Sequence, residues 1–445
     1  MTLLRASLRA KSSSLRSVGC SVPESFLRRP QRKYSSGSDK YELRLHKQEP
    51  FGDAVGDIVL PTGTQTLEFL RFPASPRENM NLAVEEDVQS NMQTSTACLL
   101  WGATKAALVA SGFQPTSPPR LPANKYVFNP NPVNGTAVAV AQADIKCGEI
   151  ILVERPLIIT PAELPLGVKD DPAETIANMV LEIFTLFLTE RLSKGEREDF
   201  FGLSGTEGRS IIQTLSRNVI SIAQPLPGPY EGPHGGICRQ GSRMRHSCTP
   251  NVEVMWDSKS FTFEFFALTP IHKGDELFRS YINHLLPRSE RLRLLDEEYG
   301  GLECSCPSCS LPNQQSQASD EIREFLMDVG TGIIQRSALG HDDLDPEFTA
   351  WASDLNLPDD HLIEASQRIL DLMTSDGAEE IMLRIWHTTR MIRAYAALGD
   401  EEKAKYWSAR FLNIVHPMAV EMAESAVEIL AGKVREDDDW DLRNK

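Results

Sequence analysis

Cysteine is scarce in this chain, with eight in 445 residues, and four of them, Cys20, Cys98, Cys147 and Cys238, are scattered. Usage this thin and dispersed excludes a disulfide-built scaffold and predicts buried thiols instead. Long apolar runs are missing too. No stretch reaches the roughly 18 residues that a membrane-spanning helix needs, so no membrane span is expected. Positive charge is in short supply: 46 Lys and Arg stand against 62 Asp and Glu, a net charge of −16. Such a balance argues against direct nucleic-acid binding, which needs clustered Lys and Arg against phosphates. It is compatible with a basic protein or peptide substrate. Otherwise the composition, 41% hydrophobic and 24% charged, is that of a globular chain long enough for two or three domains.

What basic charge there is gathers at the start. Residues 1–37 hold eight Arg and Lys against one acidic residue, Glu24, with many Ser. Leu3, Leu4, Leu8 and Leu15 can share one helical face, with Arg on the other. That is the composition of a mitochondrial transit peptide, and Arg32-Lys33-Tyr34-Ser35-Ser36 resembles a matrix-processing site after Tyr34. The alternative is a disordered basic tail on a nuclear or cytoplasmic protein.

Further along, ACLLWGATKAALVASG, from Ala97 to Gly112, predicts a small amphipathic helix. The Pro- and Asn-rich stretch Phe113 to Gly135 predicts an irregular linker. TAVAVAQADI and CGEIILVERPLII predict strands joined by a turn at Lys146-Cys147-Gly148. Residues 172–222 carry helical periodicity, and Gln224 to Gly236 predicts a Pro/Gly-rich loop. VEVMWD and FTFEFFAL predict two strands around a short turn, with Phe261, Phe263, Phe265 and Phe266 read as core. KGDELFRSYI follows, then a short helix from Pro287 to Glu298. Beyond Leu311, residues 318–338, 360–374, 376–398, 401–414 and 417–432 read as helices. AYAALGDEEKAKYW has the helix–Gly-Asp–helix spacing of a tetratricopeptide hairpin. The tail is therefore expected to be all-helical, as a packing element or as a surface for a protein partner.

The remaining cysteines carry the chemistry. Three of them, Cys304, Cys306 and Cys309, sit within CSCPSC. They are too close to pair as unstrained disulfides, but three soft ligands on a tight loop suit zinc. A structural zinc wants a fourth ligand, and the RMRHSCTPN stretch offers Cys248 first and His246 next. A Ser-His hydrolase reading of that stretch is poor, because adjacent residues rarely face each other as nucleophile and base must.

ERPLI, RHSCTPN, KGDELFRSYI, a helix and CSCPSC, in that order, resemble the SET-domain protein lysine methyltransferases, and among them the fungal SET proteins related to the SMYD group. The likeness runs from about Asn124 to Leu311. The zinc-finger insertion of the SMYD group is absent, since Val153 to Cys248 holds only Cys238 as a further thiol. The resemblance implies an α+β chain. It comprises an N-terminal region and linker over 38–121, a mostly-β SET domain with a helical insertion over 122–282, a post-SET zinc knot over 283–312 and an all-α, TPR-like domain over 313–445. It supplies Cys248 as the fourth zinc ligand and Tyr281 as the catalytic tyrosine. S-adenosyl-L-methionine is the implied cofactor, with Thr136, Val138, Arg245, His246 and Leu302 at the positions that hold it, and Ser247 helping His246 to hold the turn.

The implied reaction is methyl transfer to a lysine amine of a protein substrate. A free amine is mostly protonated at neutral pH, and an apolar channel beside a cationic sulfonium disfavours that charge. The chain departs from the family at three places. Arg245 stands where Asn is usual, and a guanidinium cannot accept a hydrogen bond; it is expected to pair with the cofactor carboxylate instead. Thr136 and Val138 replace a GxG turn, and Leu302 replaces an aromatic. The alternative these departures raise is a catalytically degenerate SET fold serving as a zinc-stabilised protein-interaction module. The N-terminal reading has a direct check. A fusion of residues 1–40 to a fluorescent reporter is expected to enter mitochondria, whereas a diffuse cytosolic or nuclear signal would reduce the tail to a basic extension.

Overall fold

The computed structural model describes residues 58–59, 66–72, 95–119, 121, 124–130, 137–161, 173–203, 210–222, 226, 234–299, 301–338, 345–415 and 420–444. The basic N-terminus and Thr136 lie outside the described residues. The chain opens with β1 (Ile58–Val59), β2 (Thr66–Phe72), β3 (Thr96–Trp101) and α1 (Gly102–Ala110). Then come β4 (Tyr126–Pro130), β5 (Ala137–Ala141), β6 (Ile150–Glu154) and β7 (Ile158–Pro161). A helical insertion follows, α2 (Ala173–Arg191), α3 (Lys194–Gly202) and α4 (Ile211–Asn218), leading into β8 (Val219–Ile222) and β9 (His234–Ile237). The next group is β10 (Arg245–His246), β11 (Val252–Asp257), β12 (Thr262–Ala267), β13 (Phe278–Arg279) and α5 (Arg288–Glu298). The helical tail is α6 (Asn313–Ala338), α7 (Pro346–Ser353), α8 (His361–Asp376), α9 (Ile381–Ala397), α10 (Glu401–Val415) and α11 (Val420–Glu428).

This is an α+β fold: a β region with helices inserted, then a helical tail. One sheet has the order β1-β2-β3-β7-β9-β8, a second β10-β13-β11-β12-β6, and β4 pairs with β5 alone. The amphipathic helix expected from Ala97 is half corrected. ACLLW forms β3, every residue of which is buried, and the helix starts only at Gly102. A short apolar run fits a buried strand as well as a helix, and here β2 on one side and β7 on the other take up its backbone groups. Through that parallel β3–β7 pairing, the segment read as N-terminal region and linker extends a sheet of the domain expected over 122–282. Pro156 splits the expected second strand into β6 and β7, and the loop expected up to Gly236 ends in β9.

β12 shows how the two halves are joined. All six of its residues are buried, and strand alternation sends them both ways. Phe263 and Phe265 enter the core of the β region, together with Phe261, while Phe266 and, just beyond, Leu268 enter a core shared with Leu326, Leu370, Met373 and Leu383 of the helices. All four phenylalanines read as core are at most 1% exposed. Backbone contact is close as well. Gly148 has φ +78°, and a Cβ there would fall 1.2 Å from the carbonyl oxygen of Asn413 in α10, so no side chain fits. The Gly399-Asp400 turn does join two packed helices, α9 and α10. A single hairpin is common to many helical folds, so the tetratricopeptide assignment stays an expectation.

Two buried histidines make this packing sensitive to acid. Nε2 of His284 lies 2.9 Å from the Glu379 carbonyl, where burial, then nearby Arg323, holds the imidazole down to about 3. Burial, then Arg390, holds His387 down to about 4. Both stay neutral in the fold, while in the unfolded chain they take up protons near pH 6.5. The unfolded state thus binds more protons below that pH, and stability must fall as pH drops from about 6.5 toward 4. Each histidine is expected to cost about 2 kcal/mol between pH 6.5 and 5. Urea midpoints across that range check this, and a flat profile would contradict it.

Candidate active site and thiol cluster

The site begins with Glu154, the last residue of β6. Its buried carboxylate accepts the backbone N–H groups of Arg239, Gln240 and Gly241 at 2.7, 3.1 and 2.9 Å. Burial pushes this carboxyl above its usual range, and the three donors pull it back. The turn so fixed feeds β10, which runs parallel to β13, pairing Arg245 with Phe278 and His246 with Arg279. Asn251 locks this crossing. Its Nδ2 donates to the Glu276 carbonyl at 2.9 Å and its Oδ1 accepts from Phe278 N–H at 2.8 Å. Between the two, the Ser247 N–H donates to the Arg279 carbonyl, and Ser247 Oγ accepts from Thr249 N–H at 3.0 Å, which turns the chain. Ser247 therefore shapes the loop, as expected.

That turn presents the Cys248 thiol inward. The Sγ atoms of Cys248, Cys304, Cys306 and Cys309 all lie within 4.8 Å of one another, and those of Cys248 and Cys309 are 3.6 Å apart. The loop carrying the last three is set by α5, whose Leu294 and Leu295 pack with Ile282, Leu286 and Tyr299. Buried Arg291 reinforces it, donating to the Leu286 carbonyl and, at 2.9 Å, to Ser308 Oγ. Hydrogen bonds from Cys248, Cys304 and Cys309 hold the Cys306 thiol below its usual range. Four soft donors at this spacing could hold a tetrahedral metal ion. Behind the loop, buried Arg323 of α6 donates to the Cys248 carbonyl at 3.0 Å and pairs with Asp376 at 2.7 Å, so the helical tail buttresses the same turn.

His246 connects the cluster to Tyr281. Its Nδ1 accepts the Tyr281 N–H at 3.1 Å, and its Nε2 faces Cys248 Sγ at 3.2 Å. Burial holds His246 down to about 4. The neutral ring whose Nδ1 is an acceptor carries its proton on Nε2, pointed at the sulfur. Tyr281 itself is held at several points. Its hydroxyl donates to the Met244 carbonyl at 2.8 Å, and Tyr299 donates its own hydroxyl to the Tyr281 carbonyl at 2.7 Å. Around its ring lie His246 and Tyr299, with centroids 5.2 and 5.3 Å away, and the Arg279 guanidinium at 4.1 Å. The result is a phenol fixed in direction, half-buried, with a fixed carbonyl beside it.

The structure brings Leu302 into the apolar cluster that contains Tyr281 and Cys304. Arg245 reaches β13 but is occupied there, since its Nε and Nη2 meet the two carboxylate oxygens of Glu276 at 2.5 Å each. Val138 is buried in β5 opposite Asn129, and β5 meets the same motif through the Val140–Glu276 bridge. Glu154, Asn251, Glu276 and Arg279 were not singled out from sequence. Three of them sit inside the quoted motif GDELFRSY or RHSCTPN, and Glu154 opens ERPLI. Their roles depend on a parallel pairing across more than thirty residues, which no local pattern reveals.

Residues 137–282 match the SET domain family. The chain therefore contains a SET domain, ending one residue beyond Tyr281. It is 30% identical over 209 residues to the histone-lysine N-methyltransferase set5 of Schizosaccharomyces pombe, covering 44% of this chain and 54% of that protein. It is 42% identical over 83 residues to the N-lysine methyltransferase SMYD2-A of Xenopus laevis, and 40% identical over 82 residues to SMYD2 of Rattus norvegicus, with 18% of each chain covered in both cases. The chain thus spans about half of the first relative and under a fifth of the other two.

The Asn251 clamp gives a stability test. Asn251→Ala removes two hydrogen bonds to the backbone at and beside β13 and is expected to cost about 2–3 kcal/mol in urea unfolding. A loss under about 0.5 kcal/mol would show that the crossing holds without it.

Proposed function

We propose that this chain is an S-adenosylmethionine-dependent protein lysine N-methyltransferase whose thiol cluster holds zinc. The observation that carries the reading is Tyr281. In a SET domain, a phenol fixed through Met244 and Tyr299 stands on the same turn-and-strand crossing as four converging thiols. The donor set suits zinc, being four sulfurs within 4.8 Å of one another. For the cofactor, Leu302 in the Tyr281 cluster offers an apolar surface, and β10 offers its backbone. When bound, S-adenosylmethionine supplies an electrophilic methyl group on a cationic sulfur. The chain's own residues then have to bring a neutral amine into line and keep it there. Tyr281 aligns it with its hydroxyl and neighbouring carbonyl, and His246 fixes the Tyr281 backbone.

Arg245 needs a changed role. Its bidentate pairing with Glu276 argues that it braces β10 against the strand and does not reach a cofactor carboxylate. This pairing is also what the degenerate-scaffold reading expects, so cofactor binding decides between them. Calorimetric titration of zinc-loaded, folded protein is expected to show S-adenosylmethionine binding. No heat at millimolar cofactor would overturn the enzyme reading. The substrate is proposed as a lysine-bearing protein, met in mitochondria if the basic N-terminus is a presequence, with the helical tail as a surface for a further protein.

Two outcomes follow for the residues. Metal analysis of reduced protein is expected to find about one zinc per chain, and Cys304→Ser to lose most of it while the helical tail stays folded. Tyr281→Phe is expected to keep cofactor affinity and slow methyl transfer by roughly a hundredfold. Transfer at the parent rate would make Tyr281 a packing residue.

A further inference from the structure

We infer that Arg279 is a positioning residue for the amine: beside Tyr281 it holds a buried, unpaired positive charge, so that an amine comes to the Tyr281 hydroxyl only as the uncharged free base. This rests on the methyltransferase reading given above. The observation behind it is a contrast. Six arginines are buried among the described residues. Arg323 pairs with Asp376 at 2.7 Å, Arg390 with Asp345 at 2.6 Å, Arg443 with Asp359 at 3.1 Å and Arg291 with Asp320 at 3.6 Å. Arg155 donates to the carbonyls of Ser260 and Thr116 at 3.2 and 2.7 Å. Arg279, 3% exposed, has none of these. Its Nε and Nη2 are buried without an acceptor, and its guanidinium lies against the face of Tyr281, 4.1 Å from the ring centre.

No carboxylate among the described residues cancels this charge. Arg245 of β10 and Glu276, just before β13, pair with each other. From the turn after β9, burial keeps the Cys238 thiol protonated, Arg239 is bound to Asp199, and Glu154 is committed to three backbone N–H groups. From the end of α5 come Tyr299, whose hydroxyl burial holds protonated, and Glu298, whose carboxyl burial holds up to about 7. Beyond His246 lie Arg291, which pairs with Asp320, and Cys306, which is gathered into its own cluster. Among the described residues no carboxylate stands within ion-pair distance of Arg279. Burying a cation without a carboxylate partner opposes folding, which leaves the Tyr281 ring as its only close counterpart among the described contacts.

A like charge is repelled from such a place. At about 6 Å and an effective dielectric constant near 20, one unit charge lowers the midpoint of a neighbouring amine by roughly two pH units. The ammonium gives up its proton to solvent on the way in. The free base that alone can form a new N–C bond becomes about tenfold to a hundredfold more abundant at neutral pH.

The field can be read without a substrate. In the full chain, Tyr281→Cys places a thiol beside Arg279. Its alkylation by iodoacetamide is followed against pH by mass spectrometry of the peptide containing position 281, which separates it from the native cysteines. The midpoint is expected to rise by about one to two pH units when Arg279→Gln is added, and to stay within about half a unit with Arg279→Lys. Equal midpoints in all three backgrounds would overturn the inference. Should Arg279→Gln fail to fold, Arg279→Met serves in its place. With Tyr281 intact, Arg279→Met is also expected to raise the melting temperature, because it replaces an unpaired buried charge with an apolar side chain; a lowered one would mean that Arg279 is structural. A shifted midpoint in a chain that binds no S-adenosylmethionine would defeat the enzyme reading alone. Equal midpoints in a chain that transfers methyl would defeat only the role of Arg279.

Discussion

The crossing of β10 over β13, locked by Asn251, is the constraint on which the site depends. It is a parallel contact two residues long, and a ladder that short cannot hold by its own hydrogen bonds. Side chains do most of the holding: Asn251 from one side, the Arg245–Glu276 pair from the other, and the Glu154 carboxylate behind the incoming turn. Once formed, the crossing aims three groups at once. Cys248 turns toward the CSCPSC loop, His246 toward the Tyr281 backbone, and the Tyr281 ring toward Tyr299. His246 touches both the thiols and the tyrosine, so neither can shift without the other feeling it.

The motifs that carry chemistry were legible because they are contiguous. CSCPSC puts three thiols on one loop whatever the fold around it, and RHSCTPN and KGDELFRSYI each keep their own turn chemistry. What was not legible is what joins them. Arg245 read as a partner for the cofactor carboxylate because Glu276 stands thirty-one residues away, beside a strand that pairs in parallel. ACLLW read as helix because a buried run of five apolar residues has no period of its own, and only the presence of β2 and β7 decides it. The buried arginines escaped for the same reason, since an arginine's burial is set by elements far from it in sequence.

The helical tail is more than an appendage in this arrangement. Phe266 and Leu268 share a core with its helices, Gly148 admits α10 only because it lacks a side chain, and Arg323 reaches from α6 to the carbonyl of Cys248. The β region therefore has two apolar faces, and one of them is finished only by residues past 313. Interactions proposed for the tail would act on a body already continuous with the tyrosine.

The four thiols meet across a long stretch of chain. Cys248 lies before β11, β12, β13 and α5, and its three companions lie after them. During synthesis, nothing that emerges early can complete the cluster, and a misregistered β12 or a slipped α5 would leave three sulfurs facing the wrong neighbour. The cluster therefore forms only when the whole segment between its members is threaded correctly. A finished domain gathers four sulfurs within 4.8 Å of one another, whereas a half-made one leaves Cys248 apart from the other three.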